Sequence, residues 1–293
     1  MSGESLAPVN VTALLKKYGL RPSKGLGQNF LVDENALQKV VKAAEIRVGD
    51  TILEVGPGLG SLTRYLASSA QQVVAVELDQ KMLPVLHETL APFENVEIVI
   101  GDILELDPGI LLESYMLKAD RSPLSALRYM VVANIPYYIT SALIRHLLEA
   151  EIQPDRIVLT VQKEVANRIC EQPPNLNLLA LSVQVYGQPT IAAKIHAGAF
   201  YPPPSVDSAV VKIDLFSKPI IPSSELPLFF QLIKAGFSQK RKTLRNTISA
   251  GMRWSKAQTE SILVEAQIDP QRRAQTLSLV EWKILTSCVS TRR

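Results

Sequence analysis

Five short, nearly continuous apolar runs, Thr51–Val55, Val73–Val76, Val96–Ile100, Tyr129–Ala133 and Ile157–Val161, constrain this chain more than any other feature. A strand with one wet face alternates polar and apolar residues. A run that is apolar almost throughout belongs to a strand covered on both faces, as in a parallel sheet. Between these runs, Leu62–Ser68, Lys81–Leu90 and Ser141–Ala150 read as helices. The alternation predicts an α/β fold, a parallel sheet wrapped by helices. Gln162–Cys170 reads as a further helix, and Leu178–Tyr186 is apolar without declaring its type. Ile191–His196 and Ser208–Leu215 look like late strands that close the sheet.

The pattern changes at the Pro-containing stretch Ser217–Pro227. Beyond it Leu228–Gly236, Lys242–Ala250, Lys256–Ala266 and Leu279–Ser287 are all helical in character, with no strong strand candidate. We therefore expect two domains, 1–218 and 219–293, the first preceded by a helical extension around Val11–Tyr18. A chain of 293 residues can bury a core in each. Charge follows the same division. Residues 219–293 carry 12 Lys/Arg against 5 Asp/Glu, a net of +7, and the remaining 19 basic and 23 acidic residues give −4. A basic module on a mildly acidic one is the footprint of a polyanion-binding surface, and equally of a solvated helical face.

Several classes are disfavoured. No run approaches the roughly 18–20 apolar residues of a membrane span. Met1–Ser5 lacks the basic-then-apolar pattern of a secretory signal. Cys170 and Cys288 are too few and too distant for a disulfide framework or a zinc cluster, which suggests a cytoplasmic protein with reduced thiols. His87, His146 and His196 show no spacing for a metal or a catalytic triad, so no metal is expected.

The run Glu54-Val55-Gly56-Pro57-Gly58-Leu59-Gly60 sits where the first strand should turn into a helix. Glycines there let a ligand approach the backbone, and the helix start offers free N–H groups. Dinucleotide folds use G-x-G-x-x-G at this place; here the spacing is G-x-G-x-G. The second candidate strand ends at Glu77, 23 residues after Glu54, where a carboxylate can accept both ribose hydroxyls. Asp102 follows the third strand, at the adenine end of such a nucleoside. NAD would share the ribose logic, but no cation awaits the 2′-phosphate of NADP. The pattern E-x-G-x-G-x-G with two further acidic strand ends resembles the class I S-adenosylmethionine-dependent methyltransferases.

Asn134-Ile135-Pro136-Tyr137 follows the fourth strand, at the sheet edge where α/β folds bind ligands. An adenine N6 is a poor nucleophile because its lone pair delocalises into the ring. The Asn134 side-chain oxygen and the Ile135 carbonyl could each accept one N6–H, favouring a pyramidal nitrogen. Pro136 stiffens the turn and Tyr137 offers a stacking face. Read by itself, Asn-x-Pro-Tyr is also an ordinary turn with a packed aromatic.

With Gly27-Gln28-Asn29-Phe30-Leu31, Gln162-Lys163-Glu164-Val165-Ala166, the Phe200–Val211 segment and Phe237–Asn246, these motifs resemble one family along nearly the whole chain. It is the KsgA/Dim-type ribosomal RNA small-subunit adenine dimethyltransferases, bacterial branch. The resemblance implies a Rossmann-like methyltransferase domain with a small all-helical C-terminal domain. It implies transfer of four methyl groups from S-adenosylmethionine, two to N6 of each of two adjacent adenosines. These lie in a hairpin loop near the 3′ end of 16S rRNA, within a small ribosomal subunit precursor. Cofactor contacts are implied at Asn29, Leu31, Gly56, Glu77, Asp102 and Asn134, with Gly58 in the glycine turn. Phe200 is implied as a second aromatic that sandwiches the adenine with Tyr137, and Lys240, Arg241, Lys242 and Arg245 as rRNA contacts on a helix. Nothing demands more than a monomer.

The chain departs from the family pattern at Gly25, where a basic residue is frequent, and at Thr140-Ser141-Ala142 in place of Ser-Thr-Pro. Tyr138 stands where Asn is common in some members. Two other readings share part of the pattern: an Erm-type 23S rRNA adenine methyltransferase, and a non-catalytic rRNA-binding assembly factor.

Overall fold

The computed structural model describes residues 6–118 and 128–292; Met1–Ser5, read above for a targeting signal, and Arg293 lie outside the described residues. The chain divides into two compact units, Met1–Ala166 with Thr190–Leu215, and Asn167–Pro189 with Phe216–Arg293. Residues 167–189, which the sequence alone places in the first domain, cluster with the second unit.

The chain opens with α1 (Val11–Lys17), β1 (Phe30–Leu31), α2 (Glu34–Ala44), β2 (Thr51–Val55) and α3 (Ser61–Ala67). It continues through β3 (Gln72–Glu77), α4 (Leu83–Leu90), β4 (Val96–Ile100), α5 (Pro108–Lys118) and β5 (Tyr129–Asn134). Then come α6 (Thr140–Leu148), β6 (Arg156–Gln162), α7 (Lys163–Ile169), α8 (Leu178–Gln184) and β7 (Gly187–Ile195). The short β8 (Phe200–Tyr201) and then β9 (Ser208–Leu215) follow. The main sheet has the order β4-β3-β2-β5-β6-β9-β7. Its first five strands are parallel, and β9 runs antiparallel to β6. The expected apolar strands coincide with β2 to β6, and β2 is buried at every position, as double coverage requires.

Helix α2, which carried no signal in our sequence reading, begins where Asp33 accepts the Ala36 N–H, leaving an acidic first turn at the positive end of the helix dipole. It ends at Glu45, in the left-handed region with φ 52°. Its face of Leu37, Val40 and Ala44 packs in one cluster with Ile52, Val132, Val158 and Val210 of the sheet. Each fully buried aliphatic side chain contributes about 1.5–3 kcal/mol. The pair β1–β8 lies apart from the main sheet and joins Phe30 to Tyr201 and Leu31 to Phe200.

In the second unit Leu178–Gln184 is helical, which settles the type of that apolar run. Four helices follow: α9 (Leu226–Gly236), α10 (Leu244–Met252), α11 (Lys256–Glu265) and α12 (Leu279–Ser290). Gly251 lets α10 meet α9 closely, since a Cβ there would stand 2.8 Å from the Ala235 Cα. Trp282 is fully buried and stacks on Phe237, ring centroids 6.1 Å apart. Lys240, Arg241 and Lys242, expected on a helix, lie in the turn that precedes α10. Thr243 has extended backbone at the N-cap position, so the helix starts only at Leu244.

Candidate active site

The sheet order reverses between β2 and β5: the chain leaves β2 for β3 and β4 on one side and returns to β5 and β6 on the other. Loops following the two strands at such a reversal diverge and leave a crevice at the carboxyl edge. The first unit has its cleft there. Asn29, Leu31, Gly56, Gly58, Glu77, Asp102, Asn134, Ile135, Pro136 and Tyr137 all line it.

The glycine turn after β2 is shaped by its backbone. Gly56 has φ +69° and open space where a Cβ would stand, so conformation demands glycine there and leaves the cleft clear. Gly58, φ +59°, would in addition place a Cβ 3.0 Å from the Phe30 ring, so crowding and conformation agree. The Gly58 N–H donates to Glu77 Oε2 at 3.0 Å, and the Asp79 N–H donates to Glu77 Oε1 at 2.9 Å. Both oxygens are thus oriented by backbone donors, and each keeps a lone pair for a ligand hydroxyl. Burial pushes the Glu77 carboxyl up, and those N–H groups oppose the shift. Asp102 Oδ1 accepts the Leu104 N–H at 2.9 Å, which orients its carboxylate just beyond the end of β4.

Glu54 contributes more than its position before the glycines suggested. It is 1% exposed, and burial pushes its carboxyl up to about 8, with the Glu77 charge acting in the same direction. Glu54 Oε2 and Ser61 Oγ are buried without a hydrogen-bond partner among the described residues. Buried polar atoms normally have partners. Thr63 sits against the Glu54 carboxyl and opposes its shift, while Glu54 and Ser61 line the cleft and fit a ligand that brings its own donors.

The loop before β1 reaches across to both sides of the cleft. Gln28 accepts the Ser23 N–H at 2.8 Å and donates to Asp79 Oδ2 at 3.1 Å. Asn29 donates from Nδ2 to the Gly27 carbonyl at 3.1 Å, and the Asn29 carbonyl accepts Asn134 Nδ2 at 3.1 Å. This last bond orients the Asn134 amide: with the nitrogen held by Asn29, Oδ1 remains as the acceptor. Tyr137 begins a 3₁₀ turn over Tyr137–Ile139, and its hydroxyl shares a 2.7 Å hydrogen bond with Ser208 Oγ. Burial raises the Tyr137 phenol and the Ser208 hydroxyl lowers it. Ser208 is fully buried at the start of β9, next to Gln162 of β6. No spacing in the sequence links residues 137 and 208; only the β6–β9 pairing brings them together.

Phe200 stands elsewhere. It is 3% exposed, is paired with Leu31 and packs in the core cluster with Ala36 and Val40, outside the residues that line the cleft. Tyr137 lines the cleft and Phe200 does not; the Phe200 ring packs in the core on the β1–β8 pair. In the second unit, Lys240 and Lys242 line a depression together with Arg168 and Asn177. Arg245 is partly engaged, 3.1 Å from Glu260. Among the described residues no group of His, Cys, Asp and Glu could hold a metal, and no helix is long and apolar enough to cross a membrane.

A family model described as "Ribosomal RNA adenine dimethylase" matches residues 20–285. A Dehalococcoides mccartyi (strain 195) protein, "Ribosomal RNA small subunit methyltransferase A", is 44% identical over 272 residues, 93% of this chain and 90% of the relative. The Bacillus pumilus protein of the same name is 39% identical over 292 residues, 98% of each chain. Among solved structures, the 23S rRNA methyltransferase ErmE superposes with a TM-score of 0.70 at 24% identity, covering 89% of this chain and all of the other. A dimethyladenosine transferase from Plasmodium falciparum gives 0.70 at 24% identity, covering 87% and 95%. These two structures share the fold.

Proposed function

This chain belongs to the ribosomal RNA adenine dimethylase family, and from that premise we propose how its residues carry out the reaction and on what particle. It is an S-adenosylmethionine-dependent rRNA adenine dimethyltransferase. The substrate is N6 of two adjacent adenosines in the 3′-terminal hairpin loop of 16S rRNA, presented in a small-subunit precursor in the cytoplasm. The protein acts as a monomer and also takes part in small-subunit biogenesis.

S-adenosylmethionine, when bound, supplies an electrophilic methyl group on a sulfonium. Glu77 holds the ribose hydroxyls, Asp102 the adenine end, and the open backbone at Gly56 with the orphan polar atoms of Glu54 and Ser61 the amino-acid end. Asn29 closes that site from the loop before β1 and Leu31 from β1 itself. Asn134 Oδ1 and the Ile135 carbonyl accept the two N6 hydrogens, Pro136 fixes the turn, and the Tyr137 ring stacks on the base. Loop adenosines are unpaired and cheap to extrude. Water takes the proton after transfer, so no strong general base is needed. Phe200 acts from behind, by seating the β1 strand. In the second unit Lys240, Arg241 and Lys242 contact rRNA phosphates, with Arg245 as a lesser partner because Glu260 already engages it.

The observation that carries this reading is the Asn134–Asn29 hydrogen bond, which leaves an acceptor in the cleft that also holds Glu77. The test is mass spectrometry of nucleosides from unmethylated small and large subunits incubated with the protein and S-adenosylmethionine. N6,N6-dimethyladenosine in 16S rRNA alone is the expected result. Product in 23S rRNA alone would replace the substrate, and subunit binding without product would favour an assembly factor.

A further inference from the structure

Tyr138, the cleft's second tyrosine, has no part in the chemistry assigned to Asn134 and Tyr137. It lines the same cleft as Tyr137 and Asn134 and is 61% exposed. Among the described residues its hydroxyl takes no hydrogen-bond partner, in contrast to that of Tyr137, which Ser208 holds. The ring is nonetheless braced. Gly27, at φ +60°, brings its backbone so close that a Cβ there would stand 3.3 Å from Tyr138 Cδ1 and 3.4 Å from both Cε1 and the Pro136 Cβ. The loop behind it is itself tied down, by the Gly27 N–H to the Lys24 carbonyl at 3.1 Å and by Gln28 to Asp79.

A braced, exposed aromatic at the mouth of a cleft has paid its ordering entropy before any ligand arrives. Tyr137 and Tyr138 are consecutive in a 3₁₀ turn, where successive side chains diverge by about 120°. They cannot stack on one base. They can serve two bases of one strand, and stacking on an aromatic face is the sequence-tolerant way to hold an unpaired nucleotide.

We propose that Tyr138 is the stacking platform for the nucleobase next to the target adenosine, a substrate-positioning residue placed on the Gly27 loop. The inference rests on the rRNA reading of the cleft, and it gives a second, non-reacting base a defined seat while its neighbour lies against Tyr137.

The test compares the wild-type protein with Tyr138→Leu, Tyr138→Phe and Tyr138→Trp on unmethylated small subunits. Leucine keeps an apolar contact with Gly27 and lacks a π-face. The expected result is a KM for subunits raised about 5- to 150-fold in Tyr138→Leu, the range of one base–aromatic stack. The same variant should keep kcat at saturating subunits, affinity for S-adenosylhomocysteine and thermal midpoint close to wild type. Phenylalanine and tryptophan should retain the wild-type KM. An unchanged KM in Tyr138→Leu overturns the proposal. So does an equal loss in Tyr138→Phe, which would assign the effect to the hydroxyl, or a loss confined to S-adenosylhomocysteine binding. Failure of the wild-type protein to methylate small subunits would instead defeat the functional reading itself.

Discussion

Asn134 at the end of β5 donates from its side-chain nitrogen to the backbone carbonyl of Asn29 at 3.1 Å, across 105 residues of sequence. The bond settles which end of an otherwise symmetric amide faces the ligand. It also joins the loop before β1 to the end of β5, so under the proposed mechanism the cofactor side and the base side of the cleft would share one fixed point. The loop, already held by Gln28 to Ser23 and Asp79, gains a third anchor in Asn134.

Glu77 gives a second consequence of backbone orientation. Each of its oxygens accepts a backbone N–H, from Gly58 and from Asp79. In Glu77→Gln the amide NH₂ must face one of these donors, and a buried donor is left unpaired at a cost of about 1–3 kcal/mol. Isothermal titration with S-adenosylhomocysteine is expected to show affinity at least about tenfold weaker, with a lower thermal midpoint. Wild-type affinity would remove Glu77 from the ribose site.

The Tyr137–Ser208 pair is expected to behave as a coupled unit. Ser208→Ala leaves a half-buried phenol without its partner and should cost about 1–2 kcal/mol, while Tyr137→Phe with Ser208→Ala removes both polar groups and should recover part of that. A double-mutant cycle in urea should return a coupling of about 1 kcal/mol. Strict additivity would mean that the 2.7 Å hydrogen bond contributes nothing to holding the ring.

Glu54 makes stability depend on pH. Its carboxyl is raised from 4.5 to about 8 in the folded protein, so the native state holds a proton that the unfolded chain releases earlier. The stabilisation is therefore full below about pH 4.5 and is lost as pH rises toward 8. Glu54→Gln lacks this dependence, and its stability relative to wild type should improve between about pH 5 and pH 8. Part of the slope should remain in the variant, since burial raises Glu77 as well. Parallel stability curves for the two proteins would show that Glu54 is ionised throughout.

The basic turn before α10 is tested by salt. Lys240→Glu with Arg241→Glu should weaken small-subunit binding and flatten the slope of log K against log[salt] by about one for each phosphate no longer neutralised. Identical slopes would return the turn to an ordinary solvated surface.

The parts of the fold that follow from local pattern were legible in the sequence. Strands β2, β3, β5 and β6 are near-continuous apolar runs because they are covered on both faces, whereas the edge strand β4 is apolar in sequence yet only half-buried. The glycine turn was legible because Gly56 and Gly58 need positive φ. What could not be read depends on pairing between distant segments. The family resemblance places Phe200 at the cleft, while its position beside a proline run reads equally as a core aromatic; it pairs with Leu31, 169 residues away, and packs in the core cluster. Ser208 meets Tyr137 only through the antiparallel β6–β9 register. The basic run passed for the start of a helix because its composition is helical; the extended backbone at Thr243 delays the helix to Leu244.

The most direct measurement is methyl transfer by Asn134→Ala to unmethylated small subunits, read as N6-methyl- and N6,N6-dimethyladenosine by mass spectrometry, with subunit and S-adenosylhomocysteine binding measured on the same preparation. The account expects turnover to fall by at least about 10²–10³-fold, as for loss of one oriented hydrogen-bonding group in an active site, while subunit binding stays within a few-fold of wild type. Turnover near that of the wild-type protein would contradict the assignment of Asn134 Oδ1 as the group that holds N6.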